Sequence, residues 1–194
     1  YGTNSYQAKQ HVAFAQAYWD KILGKHSLLT GATYKYTFYD DNTPGTANEN
    51  KENNPMKSPL PGVFIQDEIT FSSKHKLLLG YRLDYDKHHK DIHSPRFAYK
   101  FSPNNRHIFR ASFGTGFRVV NLFTEDHAAL TGSRDVIIKN DLNPEKSYNG
   151  NLNYVFNKTF DFGNFNIDAT AFYSYFTNKI VGDFKTEKNF IIYD

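Results

Sequence analysis

Three histidines close together in the sequence have the residue type and spacing to bind a metal-containing ligand. His88, His89 and His93 fall in a segment predicted to be a polar loop. Imidazole nitrogen is an able ligand for transition metals, so this loop could make first contact with a metal chelate. A polar loop whose histidines are only solvated is the interpretation that the sequence favours for the same residues. The sequence predicts no resident metal ion and no cofactor.

Residues 117–146 form the richest segment of candidate ligand contacts, because they mix aromatic and charged side chains in a long polar stretch. Ligand contacts concentrate on loops that a rigid scaffold holds in place. We therefore predict that this segment contributes to ligand binding. The candidates within it are Arg118, Asn121, Phe123, Glu125, His127 and Arg134.

No group of residues has the spacing of a catalytic site. An active site needs a nucleophile or acid, a base and an orienting group that can converge. Asp67 and Glu68 could be mistaken for an acid/base pair, but adjacent residues of a strand point to opposite faces. We expect that the protein is not an enzyme.

Composition excludes several classes of protein. The chain has 194 residues, a net charge of only +3 and no cysteine, so neither a disulfide framework nor a thiolate metal site exists. The basic residues are scattered rather than clustered, and we expect no nucleic-acid partner. Aromatic residues make up 17% of the chain, although mean hydropathy is −0.64. Polar overall character with many aromatic residues is typical of a transmembrane β-barrel, whose strands are apolar on one side only.

Alternation with period two dominates the sequence and predicts strands with two unlike faces. We predict about eight strands in an antiparallel up-and-down meander that forms part of a transmembrane β-barrel. The faces of two stretches, about residues 6–23 and 63–72, cannot be fixed from the pattern. The residues predicted to face lipid are Tyr34, Tyr36, Leu79, Tyr81, Tyr99, Tyr154, Ile167 and Ala171. Those predicted to face the lumen are Arg82, Asp84, Lys100, Asn151 and Asp168.

The predicted connections alternate between short and long. Brief turns are expected at residues 24–26, 73–75, 103–106 and 157–164, and long polar connections at 40–61, 86–94 and 117–146. Outer-membrane barrels have this asymmetry, with short turns on the periplasmic side and long loops outside.

An ordered series of short motifs resembles the barrel domain of TonB-dependent outer-membrane receptors, which import ferric siderophores, haem and cobalamin. The resemblance runs from about Phe64 to the C-terminus. Its motifs are Phe64-Ile65-Gln66-Asp67-Glu68, Gly80-Tyr81-Arg82-Leu83-Asp84, Ser94-Pro95-Arg96-Phe97, Arg110-Ala111-Ser112-Phe113-Gly114-Thr115-Gly116-Phe117-Arg118, Asn121-Leu122-Phe123, Leu142-Asn143-Pro144-Glu145-Lys146-Ser147 and Phe176-Thr177-Asn178-Lys179-Ile180.

The resemblance implies a receptor barrel of about 22 strands whose lumen is filled by a plug. Residues 1–194 would then be a portion of that barrel, about a third of its wall, without the plug domain and without the segment that engages TonB. The implied partners are the TonB complex through the missing plug, a metal chelate or similar small ligand, and outer-membrane lipid. The implied location is the bacterial outer membrane.

Two other classes of protein fit parts of the sequence. One is a soluble β-sandwich, such as a carbohydrate-binding module with aromatic platforms. The other is an outer-membrane enzyme or adhesin built on a barrel. Dependence on detergent would separate the first from a receptor, and a plug domain encoded upstream would separate the second.

Overall fold

The computed structural model describes residues 7–41, 46, 52–118, 135–138, 144–178, 182–183 and 190–193. Long strands fill most of these ranges, and none of the described residues is in an α-helix. The strands are β1 (Ala8–Leu23), β2 (His26–Asp41), β3 (Met56–Thr70), β4 (His75–Asp86), β5 (Lys90–Phe101), β6 (His107–Arg118), β7 (Asp135–Ile138), β8 (Glu145–Phe160), β9 (Gly163–Asn178), β10 (Gly182–Asp183) and β11 (Phe190–Tyr193).

Eight of these strands form one sheet in the order β1-β2-β3-β4-β5-β6-β8-β9, and every neighbouring pair is antiparallel. The predicted up-and-down meander of about eight strands is confirmed. A second sheet contains three strands in the order β10-β11-β7, and β11 and β7 are parallel. The sequence pattern did not predict this second sheet. The strands of the main sheet follow chain order without Greek-key crossings, so the β-sandwich alternative is wrong.

The register divides the main sheet into two faces. We call the face that carries Tyr81 the outer face and the face that carries Arg82 the inner face. Directly paired residues share a face, so the pairings can be followed from strand to strand. All eight residues predicted to face lipid lie on the outer face, and all five predicted to face the lumen lie on the inner face. The medium that each face meets stays a prediction.

The strands are strongly staggered. Following the pairings from His26, the first residue of β2, leads to Ala171 in β9. The turn before β9 lies eight residues away from Ala171, at Gly163, and six strand spacings separate β2 from β9. Each residue advances about 3.3 Å along a strand, and neighbouring strands lie about 4.8 Å apart. If the short turns all lie at one level, this stagger requires strands tilted by about 40° from the perpendicular to that level. A transmembrane barrel has this tilt.

Exposed apolar residues follow the same division. On the six strands between the sheet edges, every large exposed hydrophobic side chain among the described residues belongs to the outer face, from Tyr34 to Leu152. Only Tyr39, Ile92 and Val155 are buried hydrophobic residues in the described part of the chain. Across these six strands the exposed apolar surface therefore lies on one side of the sheet, whereas the edge strand β1 also exposes apolar residues such as Phe14 on the inner face. No helix among the described residues is long and apolar enough to cross a membrane.

Three predicted connections are shorter in the structure. The one predicted at 40–61 spans only residues 42–55, because β3 begins at Met56. The long connection predicted at residues 86–94 is a turn of three residues, because β4 and β5 continue pairing up to Asp86 and Lys90. Asp86 closes this turn, since its Oδ1 accepts hydrogen bonds from the backbone N–H groups of His88 and His89 at 2.9 Å each. The turn predicted at 157–164 is also shorter, because the β8–β9 pairing extends to Phe160 and Gly163.

Candidate functional site

An ion pair between Arg82 and the buried Asp84 lies on the inner face, near the end of the sheet where β2 joins β3 and β4 joins β5. We call this the long-connection end, because the long segments that follow β2 and β6 leave the sheet there. The Asp84 carboxylate has no exposed surface, and it accepts hydrogen bonds from Arg82 Nε at 2.7 Å and Arg82 Nη2 at 2.5 Å. Arg82 Nη2 also donates to Thr33 Oγ1 at 2.8 Å. Two of the three guanidinium nitrogens therefore donate to the two oxygens of one carboxylate, which is the strong, directional form of this ion pair.

Glycine creates the space for this ion pair. Gly62 of β3 pairs with Thr33 on one side and with Asp84 on the other. A Cβ at this position would overlap Asp84 Oδ1 and lie 3.0 Å from both Arg82 Nη2 and Thr33 Oγ1. The missing side chain lets polar groups from β2 and β4 meet across β3.

A second cluster of hydrogen-bonded polar residues lies at the C-terminal end of β2. Tyr39 Oη donates to Asp41 Oδ2 at 2.9 Å, and Thr46 Oγ1 donates to Asp41 Oδ1 at 2.9 Å. All three residues are buried, and Tyr39 and Asp41 belong to the inner face. These bonds hold Thr46 against the end of β2.

Towards the short-turn end, the inner face carries a row of three cations. Lys76, Lys100 and Arg110 lie directly opposite one another on β4, β5 and β6. They border a pocket of about 310 Å³ together with Glu68 and Asn151. Like charges placed directly opposite destabilise a sheet unless an opposite charge compensates them.

The compensation within the described residues is partial. Lys76 Nζ forms an ion pair with Glu68 Oε1 at 2.7 Å, and Arg110 Nη1 donates to the neutral Asn153 at 2.8 Å. Lys100 has no hydrogen-bonded or ionic partner in the part of the chain that the structure describes. The pocket therefore has an excess of positive charge and can bind anionic groups.

The structure separates the three histidines that the sequence grouped together. His88 and His89 occupy the β4–β5 turn, with ring centroids 6.5 Å apart. His93 lies within β5 on the outer face, where its Nδ1 forms a hydrogen bond with the Tyr81 hydroxyl. Among the described residues no group of three His, Asp or Glu side chains could hold a metal ion. The role of these histidines in ligand capture stays a prediction.

Arg118 is the described member of the other candidate group. It ends β6 and pairs with Glu145, the first residue of β8. Arg118 Nε and Nη2 both reach Glu145 Oε2, at 2.9 Å and 2.7 Å, so this ion pair closes the base of the segment that joins the two strands. The other candidates lie outside the described residues: Asn121, Phe123, Glu125, His127 and Arg134.

Sequence reasoning missed several members of the inner-face networks. Thr33, Glu68 and Glu145 were not assigned a role, although each has a charged or hydroxylated side chain that bonds across strands. The alternation of apolar and polar residues in β4 predicts that Arg82 and Asp84 lie on the inner face. The residues that they contact depend on the register between strands, which the alternation does not give. The expected separation of Asp67 and Glu68 is confirmed: Asp67 bonds His26 on the outer face, and Glu68 bonds Lys76 on the inner face.

Comparison with known proteins agrees with this two-faced, tilted sheet. The family profile described as "TonB dependent receptor-like, beta-barrel" matches residues 1–193. The chain belongs to this family. The comparison with curated proteins returns no match.

Solved receptors of siderophores have the same fold. The siderophore receptor PirA from Pseudomonas aeruginosa superposes with a TM-score of 0.75 at 17% identity, over 96% of this chain and 36% of PirA. A mutant ferric enterobactin receptor, PfeA, from Pseudomonas aeruginosa in complex with enterobactin gives 0.71 at 16% identity, over 97% of this chain and 31% of PfeA. The FrpB iron transporter from Neisseria meningitidis gives 0.66 at 14% identity, over 95% of this chain and 31% of FrpB. This TonB-dependent receptor chain thus spans about a third of the length of the receptors it resembles.

Proposed function

We propose that this chain is barrel wall of an outer-membrane receptor that imports an iron chelate with energy supplied by TonB. The observation that carries the proposal is the two-faced sheet, with strands tilted by about 40° and large exposed apolar residues on the outer face. A wall of this kind separates lipid from a polar lumen. The proposal gives the chain no enzymatic role, because the inner-face polar residues that the structure describes, such as Arg82 and Asp84 or Asn153 and Asp168, bond in pairs that contain no nucleophile and base.

The inner face is suited to a plug domain that carries acidic groups. The cations of the 310 Å³ pocket exceed the carboxylates that face them, and Lys100 lacks a partner within the described residues. Anionic side chains of a docked domain would relieve the repulsion between Lys76, Lys100 and Arg110. The plug and the TonB-engaging segment would be supplied by other parts of the full receptor.

An iron chelate is the ligand class for which the similar solved receptors are named. PirA is titled a siderophore receptor, and PfeA is a ferric enterobactin receptor. The candidate contacts are His88 and His89, together with Arg118 and the residues of segment 117–146, whereas His93 lies on the face that the proposal turns toward lipid. The β4–β5 turn and the ends of β6 and β8 lie at the same, long-connection end of the sheet, where extracellular loops meet ligand first.

The test is uptake of labelled ligand by cells. We would delete the full-length gene in its own organism and measure uptake of radioiron as ferric enterobactin and as haem, and of radiolabelled cobalamin. The proposal expects one iron probe to lose receptor-dependent uptake, and it expects the same loss when TonB is deleted instead. Restoring the gene should restore uptake, and the protein should fractionate with the outer membrane.

Two results would contradict the proposal. The first is a protein that fractionates away from the outer membrane. The second is uptake of every iron probe that is unchanged by deletion of either gene under iron limitation. Loss of cobalamin uptake alone would keep the receptor but overturn the iron chelate as its ligand.

A further inference from the structure

A groove crosses the outer face near its short-turn end, over β5, β6, β8 and β9. Its volume is about 580 Å³. Large aromatic residues alternate with alanines on neighbouring strands, so the sheet surface is indented between the rings. The outer-face residues that line it include Tyr99, Phe109, Ala111, Leu152, Tyr154 and Ala169.

Two histidine–tyrosine pairs stand at this groove. His75 Nδ1 bonds the Tyr99 hydroxyl at 2.6 Å, and His107 Nδ1 bonds the Tyr154 hydroxyl at 2.8 Å. His75 and His107 are the first residues of β4 and β6, so both imidazoles lie next to a short turn. The groove thus has apolar sides and a polar end.

Each imidazole also packs against a phenylalanine. The His75 ring stacks on Phe101 with centroids 4.8 Å apart, and the His107 ring contacts Phe156 at 5.0 Å. These contacts fix the rings at the boundary between apolar strand and polar turn. Aromatic side chains with one polar end are typical of the membrane interface.

A lysine lies on the same face at this end of the sheet. Lys158 follows Phe156 by two residues on the same face of β8, and its Nζ lies 4.4 Å from the centre of the Phe160 ring. The outer-face positions of β6, β8 and β9 include no Asp or Glu among the described residues, and Asp161 belongs to the turn between β8 and β9.

We propose that this groove binds one anionic phospholipid of the leaflet at the short turns. An acyl chain would lie in the groove, and the headgroup phosphate would meet Lys158 and the polar end of the His107–Tyr154 pair, which lies on the neighbouring strand positions. Here the groove provides shape and Lys158 provides charge complementarity, and together these select an anionic headgroup. The inference rests on the proposed membrane location of the barrel.

Lipid binding to the purified full-length receptor tests the inference. Receptor in detergent would be titrated with dioleoyl phosphatidylglycerol or dioleoyl phosphatidylcholine, and bound lipid would be counted by native mass spectrometry. We expect one phosphatidylglycerol to bind more tightly than phosphatidylcholine. Lys158→Gln should weaken phosphatidylglycerol about fivefold, the effect of one lysine near an anionic lipid surface, and leave phosphatidylcholine unchanged. Ala169→Leu should fill the groove and weaken both lipids.

Matched controls lie on the same face but away from the groove. Lys57 of β3 is an exposed outer-face lysine near the long-connection end, and Ala32 of β2 is an exposed outer-face alanine. Lys57→Gln and Ala32→Leu should leave the affinity within about twofold of the unchanged receptor, as expected of surface substitutions.

Three results would overturn the inference. They are equal affinity for the two lipids, equal loss from Lys57→Gln and Lys158→Gln, and unchanged binding after Ala169→Leu. Fractionation of the receptor is measured separately. A receptor that sits in the outer membrane but binds no selected lipid overturns this inference alone, whereas one that fractionates elsewhere overturns the proposed function as well.

Discussion

Replacing Arg82 by methionine should strongly destabilise the barrel, because it leaves a carboxylate in a place without water. Asp84 has no exposed surface, and both of its oxygens receive hydrogen bonds from Arg82. Removing one partner of a buried ion pair costs about 3–5 kcal/mol. The Arg82 side chain is 37% exposed, so we expect the lower end, about 3 kcal/mol.

The cost is asymmetric, and a double-mutant cycle can measure it. Asp84→Asn leaves the guanidinium partly exposed and still bonded to Thr33, so its penalty should be about 1–2 kcal/mol. Combining Asp84→Asn with Arg82→Met removes the orphaned charge. The double variant should be more stable than Arg82→Met alone by about 1 kcal/mol or more.

The assay is guanidinium unfolding of the full-length receptor refolded in phospholipid vesicles, followed by circular dichroism. Arg110→Met is the matched control, because Arg110 is exposed and donates to a neutral asparagine. Its loss should cost about 0–1 kcal/mol. Equal midpoints for Arg82→Met and Arg110→Met would refute the reasoning, since the burial of Asp84 would then carry no energetic weight.

Three further substitutions address the faces, the packing and the ligand. Leu152→Arg should cost about 2–4 kcal/mol in vesicle unfolding, whereas Asn151→Arg on the inner face should change little; similar costs would contradict the assigned faces. Gly62→Ala should lower the temperature at which the barrel unfolds on a gel, whereas Gly150→Ala should not, because a Cβ at Gly150 meets nothing within 4 Å; a Gly62→Ala barrel as heat-resistant as Gly150→Ala would contradict the packing. Alanine replacements of the candidates in segment 117–146 should weaken ligand binding to cells at least about tenfold, the effect of about 1.4 kcal/mol, and unchanged affinity would remove the segment from the site.

The faces of β4, β5 and β8 could be predicted because apolar and polar residues alternate along most of each strand. In β4, Leu79 and Tyr81 alternate with Arg82 and Asp84, so a period of two fixes both sides at once. In β1 the signal fails, because Phe14 lies on the inner face while Ala13 and Ala15 lie on the outer face. When both faces carry apolar residues, a one-residue shift leaves the pattern nearly unchanged.

The inner-face networks could not be predicted because they depend on register between strands. Thr33, Gly62 and Asp84 come from three strands and meet only because Gly62 pairs with both of the others. Nothing in the local sequence marks Gly62 as a spacer. The length of the turn after Asp86 was predicted wrongly for a different reason. The Asp86 carboxylate accepts hydrogen bonds from two backbone N–H groups, so the chain makes a tight turn without glycine or proline.

The stagger between strands constrains how this sequence can change in length. Faces alternate with every residue, so losing a single residue inside a strand moves all later side chains of that strand to the opposite medium. Losing two residues preserves the faces, but it slides the strand against its neighbours by about 7 Å and separates partners such as Arg118 and Glu145. Length variation among relatives should therefore collect in the connections, and the rare changes within strands should come in even numbers.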